Sequence, residues 1–181
     1  VLPGLLMAVT DNERWVREAA ERGLEQHRRA GAKVEHPEVC RWLEEVLTSP
    51  ESTVRRWAAF WLGRAVPWNV SRKGQQRLQD MVEKDPDGVV REAAARALGA
   101  LKVQAARPVL LAALRDDPYG NVRRAALEGL IQLDQAEDDN LLLTLALAGS
   151  SLAQEALVGR LDKLCFLLEA GDKAQMLAAV L

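Results

Sequence analysis

The stretch VVREAAARALGAL, residues 89–101, decides the fold. Counted from Val90, apolar residues stand at offsets +3, +4, +7, +8 and +11: Ala93, Ala94, Ala97, Leu98 and Leu101. That spacing lays one continuous stripe along a helix of 3.6 residues per turn, so the segment is expected to bury a single face. Three of the five offsets hold alanine. Small residues let a second helix come close, which points to tight packing against similar helices.

The stretch has copies. Upstream stand WVREAAERGL (15–24) and TVRRWAAFWLG (53–63), and downstream NVRRAALEGL (121–130). Each carries a Val-Arg pair, at Val16-Arg17, Val54-Arg55, Val90-Arg91 and Val122-Arg123. The same offsets give Val16, Ala19, Ala20, Gly23, Leu24, His27 in the first copy and Val54, Trp57, Ala58, Trp61, Leu62, Ala65 in the second. In the fourth they give Val122, Ala125, Ala126, Gly129, Leu130, Leu133. A weaker fifth copy starts at Ala153, with Gln154 in the arginine position. Internal periodicity of this length marks a repeat architecture.

Five residues before each of the first four valines stands a turn former: Asp11, Ser49, Asp85, Asp117. Proline follows three of them, in SP (49–50), DP (85–86) and DP (117–118). Asp or Ser can cap a helix, and proline is tolerated in a first helical turn. Other apolar segments lie between the copies: LPGLLMAV, HPEVCRWLEEVL, RLQDMV, ARPVLLAAL and NLLLTLALA. Each unit therefore reads as helix A, short turn, helix B. No segment alternates with period two, so strands are not expected. The units are expected near residues 2–30, 36–66, 71–101, 103–133 and 138–164, as one array, with 165–181 starting a further helix.

The pattern D-P-x-x-x-V-R-x-A-A-x-x-x-L resembles the HEAT repeat, especially the short bacterial form also found in phycobilisome-lyase subunits. The resemblance spans roughly residues 3–164 and is fullest in the third and fourth copies. It implies an all-α, right-handed solenoid of about five stacked helix pairs, with the B helices lining the concave side. It also implies a hydrogen-bonded ladder between neighbouring repeats, carried here by Asp11, Asp85 and Asp117 with Arg17, Arg55, Arg91 and Arg123. Ser49 and Gln154 depart from that pattern.

Composition narrows the function. The chain holds 24 basic and 26 acidic residues. Residues 1–133 carry a net charge of +3 and residues 134–181 a net charge of −5, the acidic excess beginning in DQAEDD (134–139). No concentrated basic face of the kind nonspecific DNA binding needs is visible. Cys40 and Cys165 fall in different units, which fits free thiols and a cytoplasmic location. The longest apolar run, LLLTLALAG, is too short to span a bilayer, and no signal-peptide pattern is present. The chain starts without Met and ends in MLAAVL with no polar capping helix, so it is expected to be a portion of a larger protein.

Catalytic chemistry finds few candidates. Cys40 could pair with His27 or His36, but no orienting Asn or Asp and no oxyanion loop accompanies it, so it reads as a buried structural thiol. His36 and Cys40 stand four apart, a spacing that can hold metal on one helical face, yet Pro37 places His36 at the helix entrance. No His-Glu pair of the kind used by HEAT-repeat iron hydroxylases occurs, and no glycine loop cradles phosphate. Gly63 and Gly99 both sit at B-helix ends. Glu44-Glu45 and Asp138-Asp139 read as solvated surface. No catalytic residue, metal site or cofactor is expected.

The aromatic residues carry more information. Trp57 and Trp61 replace the small residues of the other copies. They read either as filling for a core that the polar third A helix, SRKGQQRLQDMVEKD, undersupplies, or as a wedge that makes a hinge beside the PWNVSRKG connection. Trp15 and Trp42 read as packing between layers, with Trp68 over that packing. Offsets +2 and +6 point away from the buried stripe and hold Glu18 and Arg22, Arg56 and Phe60, Glu92 and Arg96, Arg124 and Glu128. Three of these pairs are opposite charges four apart, as on a solvated helix face. Phe60 breaks the rule. It is either an anchor on that face or a residue packed under the connection.

The expectation is a non-catalytic protein-interaction or scaffolding module whose B-helix face, at these eight positions, binds another protein or flanking domains of the same chain. Two alternatives are a nucleic-acid-binding module like the HEAT-like DNA glycosylases and a chromophore-lyase-like subunit. The alternation of Arg with Glu disfavours nucleic acid.

Overall fold

The computed structural model describes residues 2–9, 11, 13–31, 34, 37–65, 69–133, 142, 144–146 and 148–158. The chain divides into two compact units, Val1–Leu133 and Asp134–Leu181. In the first, helices follow in the order α1 (Leu2–Ala8), α2 (Arg14–Arg29), α3 (Pro37–Val46), α4 (Ser52–Leu62), α5 (Arg72–Lys84), α6 (Gly88–Ala100), α7 (Arg107–Asp116) and α8 (Gly120–Leu133), with a 3-10 turn at Gln104–Ala106. Each A helix packs on its own B helix: α1 on α2, α3 on α4, α5 on α6, α7 on α8. B helices also stack in series, α4 on α6 on α8, and A helices likewise, α3 on α5 on α7. No strand occurs among the described residues. One isolated parallel bridge joins Val34 to Ala65, the Val34 amide donating to the Arg64 carbonyl at 3.1 Å.

Packing on more than one neighbour widens the buried face beyond the stripe read from sequence, most of all in α6, which meets α4, α5 and α8. In the second, third and fourth copies offset +5 is also buried, as Ala59, Ala95 and Leu127. The first copy buries only Ala20 and Leu24 of its stripe; Val16, Gly23 and His27 are half-buried and Ala19 is exposed. Trp15 is not interlayer packing, because it is 69 % exposed at the start of α2. Trp42 is half-buried, and Trp68 lies outside the described residues.

Close approach between B helices is set by single atoms. A methyl group on Gly99 would come within 2.5 Å of the Gly129 Cα, and one on Gly63 within 2.8 Å of the Ala97 Cα. Gly63 has φ −61°, an ordinary helical value, so contact and not conformation requires glycine there.

The turns explain the Val-Arg signature. At all four, the side-chain oxygen of the turn residue accepts the amide two residues on: Asp11 from Glu13, Ser49 from Glu51, Asp85 from Asp87, Asp117 from Tyr119. The arginine six residues after each turn residue donates back to its carbonyl: Arg17 to Asp11, Arg55 to Ser49, Arg91 to Asp85, Arg123 to Asp117, at 2.8, 2.9, 2.7 and 2.8 Å. Pro50, Pro86 and Pro118 sit in the turn itself, not in the first helical turn, and their carbonyls accept from the same guanidiniums.

The free edge of the guanidinium reaches the next turn. Arg55 grips Asp85 with Nε at 2.8 Å and Nη2 at 3.0 Å, and Arg91 grips Asp117 at 2.7 and 3.2 Å. Both pairs are nearly dry, with side chains between 6 and 12 % exposed. Burial pushes the Asp117 carboxyl up, but the Arg91 guanidinium and the Tyr119 amide outweigh it and hold the group below its ordinary value. Ser49 keeps the turn hydrogen bond but offers no carboxylate to Arg17.

One buried charge went unread in the sequence. Glu44 is not solvated surface: it is 6 % exposed, and its carboxylate accepts the Ser71 amide and hydroxyl, both at 2.6 Å. Ser71 in turn caps α5 by accepting the Gly74 amide at 3.0 Å. Gly74 is required beneath it, since an added methyl would meet the Glu44 carboxylate carbon at 2.5 Å. Neighbouring Glu45 is exposed.

In the second unit, described on its own, Leu142 and Ala153 are buried and residues 151–158 are helical. Gly149, at φ +91°, ends one helical segment, and the Ser150 hydroxyl accepts the Ala153 amide to start the next. Gln154, in the arginine position, donates to the Ala146 carbonyl at 3.0 Å across that turn. Much of the expected fifth repeat, and all of 165–181, lies outside the described residues.

Two outcomes follow. Gly99→Ala should cost about 1–3 kcal/mol by forcing α6 from α8, whereas Gly4→Ala, with nothing within 4 Å of the added methyl, should be neutral or stabilising in denaturant melts. Arg91→Ala should cost about 1–3 kcal/mol by leaving the Asp117 carboxylate buried without its partner, against a negligible loss for exposed Arg115→Ala. Because the folded carboxyl of Asp117 lies below its unfolded value, this stability is complete above the unfolded value and disappears as pH falls through the folded one. Asp117→Asn should therefore flatten the acid limb of the stability profile, and an unchanged limb would refute the assignment.

Candidate functional site

The eight B-helix positions at offsets +2 and +6 all retain some solvent exposure. Small residues open a groove between stacked B helices. Arg56, Phe60, Glu92, Arg96 and Glu128 line a cavity of about 620 Å³ together with Gly63, Ala93 and Ala97. Glu18 and Arg22 line a separate groove with Glu25, Arg29 and Trp57. Arg124 lines neither, but donates to Glu128 at 3.0 Å.

Charges on this face are largely matched. Arg96 donates to Glu92 on its own helix and, at 3.0 Å, to Glu128 on the next. With Arg124 this makes a four-membered chain across α6 and α8. Glu18 takes its hydrogen bond from Arg14 at 2.7 Å and not from Arg22, as the four-residue pairing had suggested. The Arg14 hydrogen bond and charge lower the Glu18 carboxyl, with Arg22 and Arg17 acting from further off. Such exposed pairs order the face more than they stabilise it.

The aromatic cluster sits at the other end of the groove. Trp61 is fully buried and Trp57 is 8 % exposed, which makes them core filling on α4. Their indole N–H groups are buried without a hydrogen-bond partner among the described residues. Leaving each unmet costs about 1–3 kcal/mol, a cost set against the large apolar area both rings bury. Phe60 is half-buried. Its ring meets Trp57 edge-on at 5.9 Å and Trp61 at 5.3 Å, and its remaining surface lines the groove. Arg56 lies over the Trp57 ring at 5.0 Å and Arg64 over Phe60 at 5.9 Å. Across from them, Val89 is 49 % exposed on α6. The sequence singled out Phe60 but not Val89, which stands one position ahead of the Val-Arg pair.

Of the groups considered for catalysis, Cys40 and His27 are described. Cys40 is fully buried on α3, and burial followed by the Glu44 charge pushes its thiol up, away from the nucleophilic thiolate. The His27 Nδ1 lies 2.9 Å from the Gly23 carbonyl of its own helix. His36 and Cys165 lie outside the described residues. No cluster of three metal-ligating side chains occurs among the described residues, and no described helix is long and apolar enough to cross a membrane.

Comparison with known proteins agrees with this architecture. No curated protein matches the chain. The family model for HEAT repeats matches at two overlapping positions, residues 40–131 and 76–162. Together these cover more than half of the chain and take in every Val-Arg pair from the second copy onward. The chain belongs to the HEAT-repeat family.

Proposed function

We propose that this protein is a non-catalytic interaction or scaffolding module that binds a protein partner, or flanking domains of its own chain, on the B-helix face. HEAT repeats generally mediate protein–protein interaction, and stacked repeats create extended surfaces suited to it. The observation that carries the reading is Phe60. It presents an aromatic surface in a groove whose α6 and α8 walls carry ion pairs, on a base of two tryptophans. A fixed aromatic beside arginine, ringed by polar groups, is the usual composition of an interface anchor. The paired charges along α6 and α8 leave no basic stripe, which weighs against nucleic acid.

The test compares affinity with stability. For a partner retained by the wild-type chain and then measured in binary titration, Phe60→Ala should weaken binding by about 2 kcal/mol or more. The same change should cost about 1–2 kcal/mol of folding stability, because two edge-on ring contacts go with it. Unaltered affinity per folded molecule would assign Phe60 to the core alone.

A further inference from the structure

The carboxylates of the groove are already answered. Glu25 is held by Arg29 at 2.9 Å, Glu92 by Arg96, and Glu128 by both Arg96 and Arg124. Arg56 is different. Its guanidinium rests on the Trp57 ring and has no carboxylate partner among the described residues. Arginine stacked on an indole keeps its in-plane N–H donors free for a planar acceptor. The unmet demand at the aromatic end of the groove is thus for a negatively charged acceptor. In the same groove, Phe60 and Val89 offer apolar surface.

We propose that the groove between α4 and α6 binds an acidic peptide segment of a partner protein, with an Asp or Glu carboxylate on Arg56 and a neighbouring large apolar side chain on Phe60 and Val89. This rests on the reading of the B-helix face as the partner surface, and adds the chemistry of what it receives. A carboxylate matches the guanidinium in two parallel hydrogen bonds, which a backbone carbonyl cannot. The apolar neighbour supplies burial, and Ala93 and Ala97 leave the room it needs. A basic segment would instead set its charge against Arg56 and Arg64 while competing for carboxylates already paired.

Selection of a random-peptide phage library against the whole chain tests this. Enriched peptides should carry Asp or Glu within one helical turn of Leu, Phe or Trp. As synthetic peptides they should lose about tenfold or more in affinity on Arg56→Gln, the scale of a charge-assisted contact. Arg56→Glu should restore binding to the same peptides once their acid is replaced by lysine. Wild-type melting behaviour of both variants would exclude misfolding, since Arg56 lies at the groove surface. Peptides that depend on Phe60 but are indifferent to Arg56, or that are enriched in basic residues, would overturn the acidic-partner proposal and leave the interaction surface standing. Peptides indifferent to both residues, or no enrichment at all, would overturn both.

Discussion

The first unit depends on what one guanidinium can do at once. Arg55 and Arg91 each spend one nitrogen on the carbonyls of their own turn and the opposite edge on the carboxylate of the next. A turn between two helices leaves carbonyl groups that need donors, and burying it against a neighbour removes water as a source. Arginine supplies those donors and carries its charge to an acid that is itself closing the following turn. Local satisfaction and repeat-to-repeat registration therefore come from the same side chain. Lysine, a single donor point, could not do both.

Spacing fixed by the ladder lets the glycines and alanines matter. Gly99 and Gly129 meet almost backbone to backbone, as do Gly63 and Ala97. Where the same small residues turn outward they fill no space, and the groove beside Phe60 is the result. The binding surface is thus the outer side of the packing rule that builds the stack.

The phase of the repeats was legible in the sequence because Val-Arg and the preceding Asp or Ser recur at one offset in the first four copies. The Asp–Arg ladder was legible only through family resemblance, since its two ends lie in different repeats. Three features escaped for physical reasons. A single helical stripe describes one contact, whereas α6 touches its own A helix and B helices on both sides, which buries Ala95 beside the stripe. Glu44 looks like half of an acidic surface pair, yet it stands four residues after buried Cys40, on the inward face of α3. Trp15 looks like core by its size but starts its helix one position outside the stripe, and so faces solvent. At the candidate site, Phe60 stood out as a break in charge, while the freedom of Arg56 depended on which carboxylates were already taken.

Ser49 has a consequence for how the array comes apart. In stacked repeats, cooperativity is the sum of each repeat's intrinsic stability and the coupling across each interface. Where an aspartate receives the preceding arginine, that coupling includes a dry, two-pronged ion pair; Ser49 has no carboxylate to make this rung. The junction between the first and second helix pairs therefore lacks the Asp–Arg rung found at the two later junctions. The half-buried stripe of α2 points the same way. Rather than melting as one block, the stack should fray from its amino-terminal side, with exchange of backbone amides in α2 outpacing that in α6.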